Sequence, residues 1–271
     1  DVYKRQVLNK YNRAPRVSLA YRLGTYDQIN FAYGRFYQTP FKDFILQTTN
    51  FDFENSSHYI LNYKYISDER TFRIEAYYKD YNNLAKGTVF TYPYINLPPV
   101  PFSNDGGGYA KGFDIFWRDG ETFELTDYWL SYSYLDTKRD FVNYPTLASP
   151  TFATPHTFSA VVKHWVPEIT TSFGITYTFA TGRPYYNPNN LEFLGDKAKN
   201  YNNLSLNASY LTTIFDNFTV IFFSIDNIVG FKNIFGYNYS TDGTVRRAVE
   251  PTADRAIFLG MFISVGQASP F

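Results

Sequence analysis

Eleven separate stretches of this chain alternate apolar and polar residues one for one, and a period of two is that of a β-strand with one apolar face. Val17, Leu19, Tyr21 and Leu23 alternate with Arg16, Ser18, Ala20 and Arg22. Phe72, Ile74, Ala76 and Tyr78 oppose Arg73, Glu75, Tyr77 and Lys79, and Ile115 lies in a similar run. Phe173, Ile175, Tyr177 and Phe179 oppose Ser172, Gly174, Thr176 and Thr178. The last run sets Ile257, Leu259, Met261, Ile263 and Val265 against Phe258, Gly260, Phe262, Ser264 and Gly266. Only 218–228 is apolar on both parities, and its inner and outer faces are left open.

Connections between the runs alternate in length. Short turns fall near 24–27, 67–70, 119–122, 166–169 and 213–216, and long loops near 39–57, 82–108, 136–155, 182–201 and 229–253. Transmembrane barrels sort their connections this way, with short periplasmic turns and long outer loops; a soluble sandwich does not. The polar parity, rich in Ser, Thr, Gly and Asn with scattered charges, suits a wet lumen better than a dry core. The predicted fold class is therefore all-β, an antiparallel transmembrane barrel wall. Its lipid face includes Leu19, Phe31, Ile74, Ile115, Ile175 and Leu259. Arg35 breaks the apolar parity of its run and, beside a long loop, is expected to snorkel into headgroups.

Composition agrees. With 26 Tyr and 27 Phe the chain is 21% aromatic, more rings than a soluble core easily buries, and Tyr suits a membrane interface. The mean hydropathy of −0.34 is no objection, because barrels hide their apolar band in alternation. No run of 18 apolar residues marks a helical span. The 25 basic residues equal the 25 acidic ones, so no nucleic-acid partner is expected. The absence of Cys excludes disulfides and thiolate chemistry. Residues 1–14 read as a lead-in, with 1–6 expected to be foreign to the native start, since the apolar core of a secretion signal is missing there.

Candidate chemistry is sparse. His58, His156 and His164 are too scattered for a metal site, and no cofactor or catalytic residue is assigned. Asp68-Glu69-Arg70 reads as solvated turn charge rather than a catalytic pair. Asn104-Asp105-Gly106-Gly107-Gly108 lacks the Lys and following helix of a phosphate loop, and reads as a flexible approach to the next strand. Tyr92-Pro93-Tyr94 and Arg183-Pro184-Tyr185-Tyr186 combine rings, stiffness and a cation. Tyr92, Tyr94, Arg183, Tyr185 and Tyr186 are therefore candidate ligand contacts, against an equal expectation of plain loop packing.

Several loop-facing strand ends are more specific than periodicity. Tyr33-Gly34-Arg35-Phe36-Tyr37-Gln38-Thr39-Pro40, Tyr109-Ala110-Lys111-Gly112-Phe113-Asp114, Ser131-Tyr132-Ser133-Tyr134-Leu135-Asp136, Ala180-Thr181-Gly182-Arg183-Pro184-Tyr185 and Asp226-Asn227-Ile228 resemble the barrel of TonB-dependent outer-membrane receptors, Bacteroidetes members above all. The resemblance covers about 15–265. It implies a 22-stranded barrel plugged by an N-terminal domain, of which 15–271 would supply the C-terminal half, without the plug. It also implies a role in importing a scarce bulky nutrient, such as a siderophore, a cobalamin-like complex or a glycan. The expected partners are outer-membrane lipid, the barrel assembly machinery, the nutrient, and TonB–ExbB–ExbD reached through an N-terminal region. A passive porin and, less favoured, a barrel-rim enzyme are the rival readings.

Overall fold

The computed structural model describes residues 2–5, 10–48, 50–88 and 100–265. One antiparallel sheet carries the chain in strict sequence order: β1 (Arg16–Arg22), β2 (Asp27–Gln38), β3 (Glu54–Ile66), β4 (Arg70–Lys86), β5 (Ser103–Asp119), β6 (Thr126–Asp140), β7 (His156–Val166), β8 (Thr171–Ala180), β9 (Tyr201–Ile214), β10 (Asn217–Asp226) and β11 (Ala256–Ser264). Each of the eleven expected strands is present. β1 and β11 are the two edges and do not pair with each other, so the wall is open. Val2–Arg5 and Lys10–Arg13 form a separate two-stranded ladder within the lead-in.

Short turns at 23–26, 67–69, 120–125, 167–170 and 215–216 gather at one end of the sheet. The longer connections, which join Gln38 to Glu54, Lys86 to Ser103, Asp140 to His156, Ala180 to Tyr201 and Asp226 to Ala256, leave from the other. The tightest turn places Phe215 and Asp216 at φ 48° and 58°, the two-residue geometry whose twist matches the flanking strands.

Register decides which side chains share a face, because a slip of one residue would turn every side chain over. Tyr21, Ile29, Tyr63, Ile74, Ile115, Tyr132, Phe158 and Phe179 are successive cross-strand partners from β1 to β8. Val162, Ile175, Leu206, Ile225 and Ile257 continue the same face from β7 to β11. One step along, Ala20, Asn30, Asn62, Glu75, Asp114, Ser133 and Thr157 partner one another on the opposite face. The register also settles 218–228: Ile221, Phe223 and Ile225 join the apolar face through Met261, Leu259 and Ile257.

Rings edge the apolar face at two heights. Near the loops, Tyr33 and Tyr59 lie with centroids 5.1 Å apart, and Tyr59 and Tyr78 6.4 Å apart. Near the turns, Tyr26 meets Tyr65 at 5.9 Å, and Phe72 meets Tyr63 at 6.1 Å and Trp117 at 6.2 Å. From Tyr59 to Tyr65 is about 20 Å along the strand, close to the height of the band that membrane barrels edge with aromatic girdles.

A wall one sheet thick buries little, and the fully covered apolar residues collect at the loop end. Phe44, on the helix Lys42–Gln47, packs with Phe51, Phe53, Ala85 and Val142, and the Phe44 and Phe51 rings meet edge-on at 5.9 Å. A second cluster joins Tyr144, Ala148 and Leu194.

Two sequence expectations change here. The 104–108 stretch is not a flexible approach but the start of β5, paired with β4 across register shifts between Asn82 and Lys86. Glycine is needed there for closeness: a Cβ at Gly108 would stand 2.3 Å from the Lys138 carbonyl oxygen. The same holds at Gly112, where it would stand 1.9 Å from the Tyr134 carbonyl oxygen. Arg35, in turn, is anchored within the protein: its Nη2 donates to Asn55 Oδ1 at 3.1 Å, and its guanidinium lies 5.4 Å from the Tyr37 ring centre.

Candidate functional site

The loop end holds the site, and short polar side chains give it its shape. Asn227, at the end of β10, adopts φ 51° and is buried. Its Nδ2 donates to the carbonyls of Phe231 (2.8 Å) and Asp254 (2.6 Å), and its Oδ1 accepts from the Phe231 N–H (2.8 Å). Both flanks of the last loop are thereby tied to one residue. At the end of β8, the His156 N–H donates to Thr181 Oγ1 at 3.0 Å, and the Gly182 N–H to Asn200 Oδ1 at 3.0 Å. Pro184–Tyr185 then pairs with Asp196–Lys197 as a short ladder.

The five candidate contacts do not form one cluster. Tyr92 and Tyr94 lie outside the described residues. Tyr185 is buried with its ring 5.0 Å from that of Tyr237, and Tyr186 packs 6.0 Å from Phe193. Both line a cleft of 540 Å³ together with Pro188, Tyr237, Asn238 and Tyr239. Arg183 is exposed and lines a separate cleft of 310 Å³ with Lys199, Tyr201 and Phe235. The residues thus serve loop packing and cleft lining at once.

Charge around the Tyr cleft is committed internally. Asp196 accepts from Asn187 Nδ2 at 2.5 Å and Asn190 Nδ2 at 2.7 Å, and these bonds hold its carboxyl below the usual range. The Arg246 guanidinium sits 4.3 Å from the Tyr237 ring centre. Nearby, Asp242 accepts from the Ser240 hydroxyl and from the Thr244 N–H and hydroxyl, which lowers its carboxyl to about 2.

A second pocket, of 530 Å³, is one that sequence reasoning missed. Phe36, Ser56, Tyr81, Gly108 and Arg139 are successive cross-strand partners from β2 to β6, on the polar face just below the loops. Because Gly108 has no side chain, Arg139 lies across the gap, its guanidinium 4.3 Å from the Tyr81 ring centre, 5.2 Å from Phe152 and 5.7 Å from Phe141. The glycine run was the available signal, since a strand glycine marks a close approach.

Among the described residues no group of His, Cys, Asp or Glu is placed to hold a metal ion. His156 Nδ1 lies 2.8 Å from Tyr132 Oη, His164 Nδ1 lies 2.8 Å from Thr126 Oγ1, and the His58 ring lies tilted against that of Phe36, 4.6 Å between centres. No helix among the described residues is long and apolar enough to cross a membrane.

No family model matches the chain, and no curated protein matches it in sequence. Solved structures do match. The outer membrane transporter YddB from Escherichia coli superposes with a TM-score of 0.72 at 13% identity, over 94% of this chain and 41% of its own. The chain has the barrel fold of the TonB-dependent outer-membrane receptors. The same receptor-barrel fold is found in the FrpB iron transporter from Neisseria meningitidis (TM-score 0.67, 12% identity, 93% of this chain, 39% of that one). It is found again in the ferric yersiniabactin uptake receptor FyuA from Yersinia pestis (0.66, 12%, 93% and 37%). The chain spans well under half the length of these proteins, and its eleven-stranded wall is part of such a barrel, the fold class predicted from alternation and loop length.

Proposed function

We propose that this chain is wall and outer loops of an outer-membrane importer for a scarce, bulky nutrient: a siderophore, a cobalamin-like complex or a glycan. It catalyses no reaction. The observation that carries this reading is the two-faced wall, with an apolar face between aromatic girdles set back to back with a face bearing Glu75 and Asp114. Carboxylates at mid-wall belong beside water, and the rings belong at lipid interfaces. The long connections all leave the sheet at one end, where binding residues on a rigid scaffold usually sit.

In this reading Arg183, Tyr185 and Tyr186, with Tyr92 and Tyr94, contribute to holding the nutrient. Tight binding is mostly slow release, so discharge into the periplasm needs work, supplied by TonB–ExbB–ExbD through a region beyond this chain. Lipid and the barrel assembly machinery are its other partners. The test is nutrient uptake in a deletion strain carrying the intact gene, with and without a proton-motive-force uncoupler and with TonB removed. Uptake that stops in both conditions is expected, whereas uptake indifferent to both would make the protein a passive porin.

A further inference from the structure

The pocket beside Arg139 is built around an unsatisfied cation. Arginine carries five N–H donors, yet the Arg139 side chain finds no hydrogen-bond acceptor and no carboxylate at ion-pair distance among the described residues. Its Nε is buried, as is Ser56 Oγ on the same rung, and neither has a partner. Buried polar atoms are nearly always paired in a native protein, so two orphans on one pocket wall call for an account. Three rings lie around the guanidinium. The Glu54 carboxylate feels the charge of Arg139, but its Oε1 is already engaged by the Ala85 N–H at 2.9 Å. Burial, the strongest influence, pushes the Glu54 carboxyl up despite that bond and the charge of Arg139, which weakens it as a counter-ion.

We propose that this pocket is a subsite for an amphipathic anion, a carboxylate or sulfonate on a flat apolar body, with the anion on Arg139 and the body against the other rings of the pocket wall, Phe36, Phe41 and Phe152. The inference rests on the importer reading and names the chemistry of its ligand. A planar guanidinium accepts an oxyanion in its fork while its face stays on a ring, which a lysine cannot do. The volume of 530 Å³ matches a small organic ligand, and apolar walls with a few converging polar groups are the usual composition of such sites. Gly108 leaves Arg139 room to lie flat: a Cβ there would come within 3.2 Å of the Arg139 Cγ.

The experiment uses the intact receptor in detergent micelles, with folding checked by its heat-dependent gel shift. The probes are 2-naphthoate and neutral 2-naphthylmethanol, titrated by fluorescence anisotropy. Wild type is expected to bind the anion roughly 10- to 100-fold tighter than the alcohol, the range that charge-assisted hydrogen bonds supply. Arg139→Gln should bring the two probes level without changing the alcohol, and Phe152→Ala should weaken both. Arg118→Gln, at the turn end, should alter neither. Equal affinity of wild type for the two probes overturns the proposal, and so does an Arg139→Gln protein that keeps the preference. Uptake indifferent to TonB would defeat the importer reading while leaving this binding result standing.

Discussion

Ile175→Arg against Thr176→Arg separates the two faces of the wall most sharply. Ile175 is near the middle of β8, about 15 Å along the strand from either end, so a charge there lies near mid-membrane. Its cross-strand partners are Val162 and Leu206, and its side chain is 49% exposed, as a lipid-facing residue of a bare wall should be. Arg at the midplane of a lipid face costs about 2–4 kcal/mol, which lowers the folded population roughly 30- to 1,000-fold. Thr176, the adjacent residue, partners Val161 and Ser205 on the polar face, where a cation stays in water. The intact protein would be refolded from urea into lipid vesicles, and the heat-shifting band measured against denaturant. A large loss for Ile175→Arg with near-normal folding for Thr176→Arg is expected. Equal tolerance at both positions would refute the facing assignment for the whole sheet, because register couples every strand to β8.

Three further outcomes follow from the same geometry. Burial pushes the Asp119 carboxyl up, but the Thr122 N–H and hydroxyl, the Glu121 N–H and Arg70 outweigh it and hold the group well below its usual range. A depressed pKa gives stability above the unfolded value of about 3.9 that is lost as pH falls through the folded one; Asp119→Asn should therefore lower the urea midpoint at pH 7, and the gap to wild type should close progressively below pH ~4. Gly112→Val should cost about 1–3 kcal/mol or block assembly, read as loss of the heat-shifting band, since its Cβ would collide with the Tyr134 backbone. The isolated 271-residue chain should stay detergent-dependent and show no heat shift, because both sheet edges carry unpaired backbone groups; a monodisperse, heat-shifting monomer would contradict this.

The wall was legible because its physics is local: a half-exposed strand must alternate, so Ile74 against Arg73 reveals a face without any contact being known. What lies above the membrane was less so. There β4 and β5 run on through Asn83 and the three glycines, where alternation fails and only backbone proximity explains the residues. Phe44, Phe51 and Phe53 read as loop, yet they pack as a small core, since their burial depends on partners as distant as Val142. Of the candidate contacts, Tyr185 and Tyr186 share a cleft but Arg183 does not, a division that spacing along the chain cannot carry. Arg139 stayed hidden because its pocket is assembled by cross-strand pairing from β2, β3, β4 and β6.

Strand direction carries a consequence for closure. β1 leads into the turn at 23–26 and so descends from the loop end; with eleven alternating strands, β11 descends as well. A ring in which every neighbour runs opposite to the last must contain an even number of strands. Whatever closes this wall must therefore contribute an odd number, ascending at both of its margins. A second copy of the same sheet, loops facing the same way, offers only descending margins and would set like beside like at each seam. Two of these walls therefore cannot complete one another as an all-antiparallel ring.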